Sequence, residues 1–465
     1  MKLLLSTLTA ALILAGCATA PAIDPSALPT TPARFKEGDG RWTLAAPAES
    51  QPRGEWWKAF GDPILDVLVA RADASNTNIR IAATRLAQAR ALVQSANADR
   101  LPQLGLGASA SRVEGIVSGT PGPARSLFTT GANASYEADL FGRIGRAVNA
   151  ASLDAQSSEA LLQSTRLLVQ AEVAQTYFAI RALDEERNLV RRTVLAYRDT
   201  LDLTERRFRA GDVAELDVAR ARTEVASTES DAYALDRRRA ELEHALAVLV
   251  GESASAFGLG DAQWKSALPI IPAGVPSTVL TRRPDVSAAQ SAMLAAQARV
   301  GVAKAAWFPS VSLTASAGQA SPDVSDLFKW SARAWGVGAL LSLPVFDGGK
   351  RDAGIQFASS EMEAAVARYR EQILVAFQDV EDQLSALQYL SDQADAQGRA
   401  VDSSSRSTAL SDARYRSGYV SQLDLLDAQR SELRNRRQAV QVRAAQYQAT
   451  VGLVRALGGG WEVRS

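Results

Sequence analysis

The stretch Ala413-Arg-Tyr-Arg-Ser-Gly-Tyr-Val-Ser-Gln-Leu-Asp-Leu-Leu-Asp-Ala-Gln-Arg430 decides how this chain is read. It is polar, turns on Gly418 and carries two carboxylates, Asp424 and Asp427, three residues apart. Long helical patterns flank it, so Gly418 falls where a reversing chain often needs positive φ. The same phrase stands earlier, from Arg207 to Asp217. Phe208 matches Tyr415, Gly211 matches Gly418, Leu216 matches Leu423 and Asp217 matches Asp424, at a constant offset of 207 residues (217 to 424). The chain is a duplication.

Outward from the two turns, each copy repeats one programme. A helix near 78–100 carries Ile79, Ala82, Leu86, Ala89 and Val93 on one face, and Val286, Ala289, Met293, Ala296 and Val300 repeat it. Pro102 and Pro309 end these helices, and the period then changes to two. Leu104, Leu106, Ala108 and Ala110 alternate with Gly105, Gly107, Ser109 and Ser111. Ala132, Ala134, Tyr136, Ala138 and Leu140 alternate with Asn133, Ser135, Glu137 and Asp139. Strands are expected over 104–111, 131–140, 311–318 and 335–343. This length and alternation fit a membrane barrel, and a soluble hairpin packed on a core fits equally. Glu137 and Asp139 face a lumen in the first reading and are exposed strand residues in the second.

Helical periodicity follows from about 143 to Phe208, roughly 66 residues or about 100 Å at 1.5 Å per residue. Arg187, Val190, Val194, Tyr197, Leu201, Thr204 and Phe208 step by three and four, a coiled-coil seam. Return helices are expected over 213–250 and 420–457. The division is 1–16 leader, 17–61 arm, 62–250 first repeat with hairpin 104–140, 251–277 insert, 278–457 second repeat with hairpin 311–343, and 458–465 tail. Four such strands cannot close a barrel alone, and an open edge cannot face lipid. Several chains must share one barrel, which implies a homo-oligomer.

Composition narrows the chemistry. Basic and acidic residues balance at 51 each, so no global field draws nucleic acid. His244 and Cys17 are the only residues of their types, too few for a zinc or iron cluster or an internal disulfide. No cofactor is expected. Gly348-Gly349-Lys350 lacks phosphate-loop spacing, because Pro344 stands where the first glycine belongs. With no His-based dyad and no nucleophile motif, an enzyme is the poorest reading. Lys2 and the apolar run Leu3–Ala15 form a leader too short to span as a mature helix. It ends in Leu14-Ala15-Gly16-Cys17, which resembles the lipobox of bacterial lipoproteins, where the cysteine is lipid-modified after cleavage. An ordinary signal peptide with a chance cysteine is the alternative. Ala18 after the cysteine favours outer-membrane sorting by the same resemblance.

With these residues in place, the chain resembles the TolC-type outer-membrane efflux channels. It looks most like their lipoprotein branch, which works with resistance–nodulation–division pumps. The matching stretches are Trp56–Pro63, Arg283–Val286, Trp307–Pro309, Phe346–Gly349 and Arg414–Arg430. The resemblance implies a homotrimer: an α-helical barrel continuous with a shared transmembrane β-barrel, four strands from each chain. The 251–277 insert would belong to a belt at mid-height. Localisation would be the outer membrane, lipid-anchored and reaching into the periplasm. Partners would be a periplasmic adaptor (membrane fusion) protein, an inner-membrane pump and outer-membrane lipid, with no nucleic acid.

By the same resemblance, Leu423, Asp424, Asp427 and Arg430 would close the periplasmic mouth. Six carboxylates would meet around a threefold axis, with Arg430 available for interchain pairing. A solvated helix face is the plain alternative. Arg220 stands where the second copy has Asp427, so the second copy would carry the ring. Arg209, Gly211, Arg416 and Gly418 resemble the adaptor-docking tips, though a capped turn needs the same glycines. The function implied is a passive export duct for drugs or other small toxic compounds. A duct for type I protein secretion and a periplasmic coiled-coil scaffold are its rivals.

Overall fold

The computed structural model describes residues 22–24, 26, 28–38, 54–117, 120–269, 271, 279–280 and 282–459. The leader and Cys17 lie outside these residues, as do parts of the 251–277 insert and of the tail. Seven helices and four strands are used below: α1 (Pro63–Ser75), α2 (Thr77–Ala98), β1 (Gln103–Val117), β2 (Thr120–Ala138), α3 (Arg143–Ala210), α4 (Glu215–Leu249), α5 (Pro284–Ala305), β3 (Ser310–Ser321), β4 (Arg333–Ser342), α6 (Lys350–Arg416) and α7 (Gln422–Ala456). No described helix is long and apolar enough to cross a membrane.

The chain forms two compact units. One holds the sheet with the helical segments of 84–159 and 288–371. Its strands run antiparallel in the order β1-β2-β3-β4, so β1 and β4 are edges with no second strand partner among the described residues. The register sorts the side chains by face. Leu104, Ala134, Ala315 and Val337 form one rung, and Leu106, Ala132, Ala317 and Trp335 the next on that face. Between them lies Gly105-Asn133-Ser316-Gly336 on the opposite face. The apolar face is open: Leu106 is 89% exposed, Trp335 79% and Val337 77%. Both hairpins are longer than the alternation suggests. β1 and β2 stay paired out to Val117 and Thr120 across a bulge between Val113 and Gly115. Pro121 is tolerated because β3 pairs with β2 only from Phe128, so the outer part of β2 has one neighbour.

Two glycines hold the repeats together. Gly131 pairs with Gly318 across β2 and β3. A Cβ on Gly318 would fall 2.6 Å from Gly131 Cα, and one on Gly131 would fall 2.7 Å from Ala317 O. Backbone cannot yield there, so both positions need glycine. At the sheet's end Asp139 accepts from Ile144 N (3.1 Å) and Gly145 N (2.7 Å). Its carboxylate caps the start of α3. Glu137 pairs with Arg143 at 2.8 Å.

The second unit contains the described parts of 30–83, 160–287 and 372–465. Asp62 caps α1 as its sequence suggests, accepting from Ile64 N (3.0 Å) ahead of Pro63. Its other oxygen accepts from Tyr177 Oη (2.6 Å) and Ser266 Oγ (2.7 Å). Phe60, Phe178, Trp264 and Tyr447 pack around this point, with Phe178–Tyr447 centroids 4.8 Å apart and Trp264–Tyr447 4.7 Å. Trp56–Pro63 and the insert thus share one aromatic core. Nearby Asp184, 2% exposed, accepts from Arg181 (3.1 Å), Arg187 (3.1 Å) and Arg239 (2.7 Å). Three buried or nearly buried guanidiniums therefore converge on one carboxylate. The α3 seam is buried at Val190, Val194, Tyr197 and Thr204. It opens at its last member, Phe208, which is exposed.

Candidate functional site

The two turns adopt the backbone their glycines allow, with φ of 84° at Gly211 and 78° at Gly418. They dock on one another asymmetrically. Arg207 donates to the carbonyls of Tyr415 (3.3 Å) and Arg416 (3.2 Å) and lies 4.7 Å over the Tyr415 ring. Thr204 Oγ1 meets Tyr415 Oη at 3.2 Å and accepts from Gln422 Nε2 at 3.3 Å. Tyr415 is buried where its counterpart Phe208 is exposed, so one copy inserts its aromatic ring and the other does not.

Helix α7 begins with a capping box. Asp424 N donates to Ser421 Oγ (3.3 Å), and Ser421 N donates back to Asp424 Oδ2 (3.0 Å). Ser421 Oγ also donates to that oxygen at 2.7 Å. These Ser421 bonds, the hydroxyl first and the backbone N–H second, hold the Asp424 carboxyl below the ordinary aspartate range. The spacing Ser421-x-x-Asp424 carries this box in the sequence itself. In the first copy Ala214 stands at the cap and offers no side-chain bond.

Past the cap, Gln422, Leu425 and Leu426 face inward and Leu426 packs against Tyr197 and Val225. Leu423, Asp424, Asp427 and Arg430 share the opposite, exposed face of α7. The four expected gate residues are therefore brought together. Arg430 has two carboxylate partners within its own chain. It bonds Asp427 at 3.3 Å and makes a short ion pair with Glu224 on α4, whose side chain is only 13% exposed. That hydrogen bond holds the guanidinium more firmly protonated. Glu224 lies 206 residues away in sequence and belongs to no local motif. Only the packing of α4 beside α7 reveals it. In the first copy Arg220 meets Asp217 at 3.7 Å, so that face carries no net charge from the pair. Of the expected docking residues, Arg209 donates to Glu205 O (3.3 Å) and Arg416 to Asp412 (2.9 Å). Both stand exposed beside their glycines. The arrangement offers a charged, solvent-facing helix start braced against α4.

The model of a family described as outer membrane efflux protein matches residues 68–252 and 275–459, two segments displaced by the same 207 residues as the duplicated turns. The pyoverdine export outer membrane protein OpmQ of Pseudomonas aeruginosa is 33% identical over 467 residues, covering 98% of this chain and 97% of its own. The toluene efflux pump outer membrane protein TtgI of Pseudomonas putida is 34% identical over 461 residues, with 98% and 97% covered. Among solved structures, the outer-membrane channel OprN superposes with a TM-score of 0.88 at 30% identity, covering 96% of this chain and all of that one.

Proposed function

From the chain's membership of the outer membrane efflux protein family, a family of channel proteins rather than enzymes, we propose that it is the outer-membrane duct of a tripartite efflux pump. Three copies share one β-barrel and extend into the periplasm. The observation that carries this reading is the sheet. Its apolar face is exposed, its other face carries Ser, Thr, Asn and Gly, and both edges lack a strand partner among the described residues. Water disfavours such an apolar surface, and lipid cannot satisfy an open strand edge. Membrane insertion answers the first demand and neighbouring chains the second.

The α7 face bearing Leu423, Asp424, Asp427 and Arg430 is the periplasmic gate. Around a threefold axis it brings six carboxylates together, a negative constriction favouring cations. Arg430 acts as a clasp within each chain, tying α7 to Glu224 of α4. The turns at Arg209-Gly211 and Arg416-Gly418 receive a periplasmic adaptor protein. The pump below it is of the resistance–nodulation–division class. Cys17 carries the lipid that adds an anchor to the outer membrane. Relatives named for pyoverdine and toluene favour small molecules over polypeptides as cargo. Deleting the gene and profiling sensitivity to a broad compound panel tests this. Hypersensitivity to several small toxic compounds, restored by the intact gene, is expected. An unchanged profile with loss of a secreted protein would overturn it.

A further inference from the structure

The apolar face of the sheet ends differently on its edge strands and its inner ones. On β1 it runs Leu104, Leu106, Ala108, Ala110 and then Arg112. On β4 it runs Leu341, Ala339, Val337, Trp335 and then Arg333. Each row meets a guanidinium eight residues from its start (104 to 112, 341 to 333), toward the hairpin ends and away from the helices. The inner strands end the same face without charge, in Thr130 and Ser126 on β2 and Gln319 and Ser321 on β3. Eight residues of strand measure about 27 Å. At a tilt of about 40° they rise about 21 Å, close to the apolar band of about 25 Å that a membrane barrel presents. Both arginines therefore stand at the outer rim of that band.

Neither guanidinium has a carboxylate partner among the described residues, and both side chains are exposed. Of the acids toward the hairpin ends, Asp326 pairs with Lys329 at 2.6 Å, and Glu114 and Asp323 pair with neither arginine. Arg333 lies over the Trp330 ring. Phe328, Trp330 and Trp335 are each more than three-quarters exposed. Exposed aromatic rings beside unanswered cations suit the level of lipid headgroups, where the rings rest on acyl chains and the cations meet phosphate.

We propose that this rim binds the phosphates of lipid A, the phosphorylated saccharolipid of the outer leaflet, at the seam between two copies of the chain. The inference rests on the shared-barrel reading. Closing the ring sets β1 of one copy against β4 of the next, so Arg112 of one and Arg333 of the other flank the lipid-facing mouth of one seam. Within a single chain the two lie on opposite edges, three strand spacings or about 14 Å apart, and each edge holds half a site. Lipid A carries two phosphates on a disaccharide, and each planar guanidinium grips one with two parallel hydrogen bonds. A glycerophospholipid with one phosphate leaves the second arginine unanswered.

The test is native mass spectrometry of the full-length, delipidated protein in detergent, titrated with bisphosphorylated lipid A. A trimer that takes up to three lipids is expected. Arg112→Gln and Arg333→Gln should each weaken uptake about tenfold, the value of one charged hydrogen bond. Arg125→Gln, which lies opposite Val113 on the other face of the same hairpin, should leave it unchanged. Phosphatidylglycerol should bind at least tenfold more weakly. A trimer that takes up lipid A no better than phosphatidylglycerol, or whose uptake neither rim variant weakens, would overturn the proposal and leave the shared barrel standing. A monomer would overturn both.

Discussion

Replacing Arg430 by Ser should loosen the resting channel, and the structure says by roughly how much. The guanidinium bonds Glu224 on α4 and Asp427 one turn back on its own helix. The Asp427 side chain is 63% exposed, so that contact contributes little. Glu224 is largely buried, and a charged hydrogen bond to such a group is worth about 1.5–3 kcal/mol. Arg430 itself is about half exposed, which reduces this to about 1 kcal/mol per chain. If opening separates α7 from α4, three chains lose about 3 kcal/mol of closed-state bias, close to a hundredfold in the open-to-closed ratio. Single-channel recording in planar bilayers should show Arg430→Ser with higher resting conductance than the parent. Glu224→Gln should reproduce most of the change, and the double variant should add little more. Wild-type conductance in both single variants would refute the clasp. An effect of Arg430→Ser without one of Glu224→Gln would move the partner elsewhere.

Other outcomes follow from the same geometry. Asp424 has a depressed folded-state pKa, so its capping contribution is present above pH about 4 and is lost as pH falls through the folded value. Amide exchange over 419–426, corrected for intrinsic rates, should be flat above that range and accelerate in acid, and Ser421→Ala should cost about 1 kcal/mol of local protection at neutral pH. Gly318→Ala places a methyl against Gly131 and the Thr130 carbonyl, so β2–β3 pairing should fail and heat-modifiable gel migration should disappear. Asp184→Ala takes from buried Arg181 its carboxylate partner, while Arg187 keeps Asp236 and Arg239 keeps Glu243, and should destabilise the helical unit by about 3 kcal/mol, read as a lowered thermal midpoint. Cys17→Ser should remove acyl mass from the mature N-terminus while leaving the protein able to enter the outer membrane.

The features visible in the sequence were those set by local pattern. The 207-residue repeat located both turns, and the glycines at 211 and 418 take the left-handed conformation that the reversal requires. Helix limits fell within a few residues, because Pro102, Pro309 and the two turns punctuate them. Period-two alternation located the strands but not their outer reach, since paired backbone continues past the alternating side chains to Val117 and Thr120. The site was half legible. Leu423, Asp424, Asp427 and Arg430 could be placed on one face by helical spacing alone. Glu224, Tyr415's insertion beside Thr204 and the convergence on Asp184 could not, because each depends on helices distant in sequence meeting side by side.

We expect β1 of one chain to pair with β4 of the next and the ring to close at three. Single cysteines scanned along β1, combined with single cysteines along β4 in the full-length protein, test this in native membranes. An oxidised ladder on denaturing gels that ends at a covalent trimer is expected. A disulfide confined to one chain, or a ladder running past three, would contradict it.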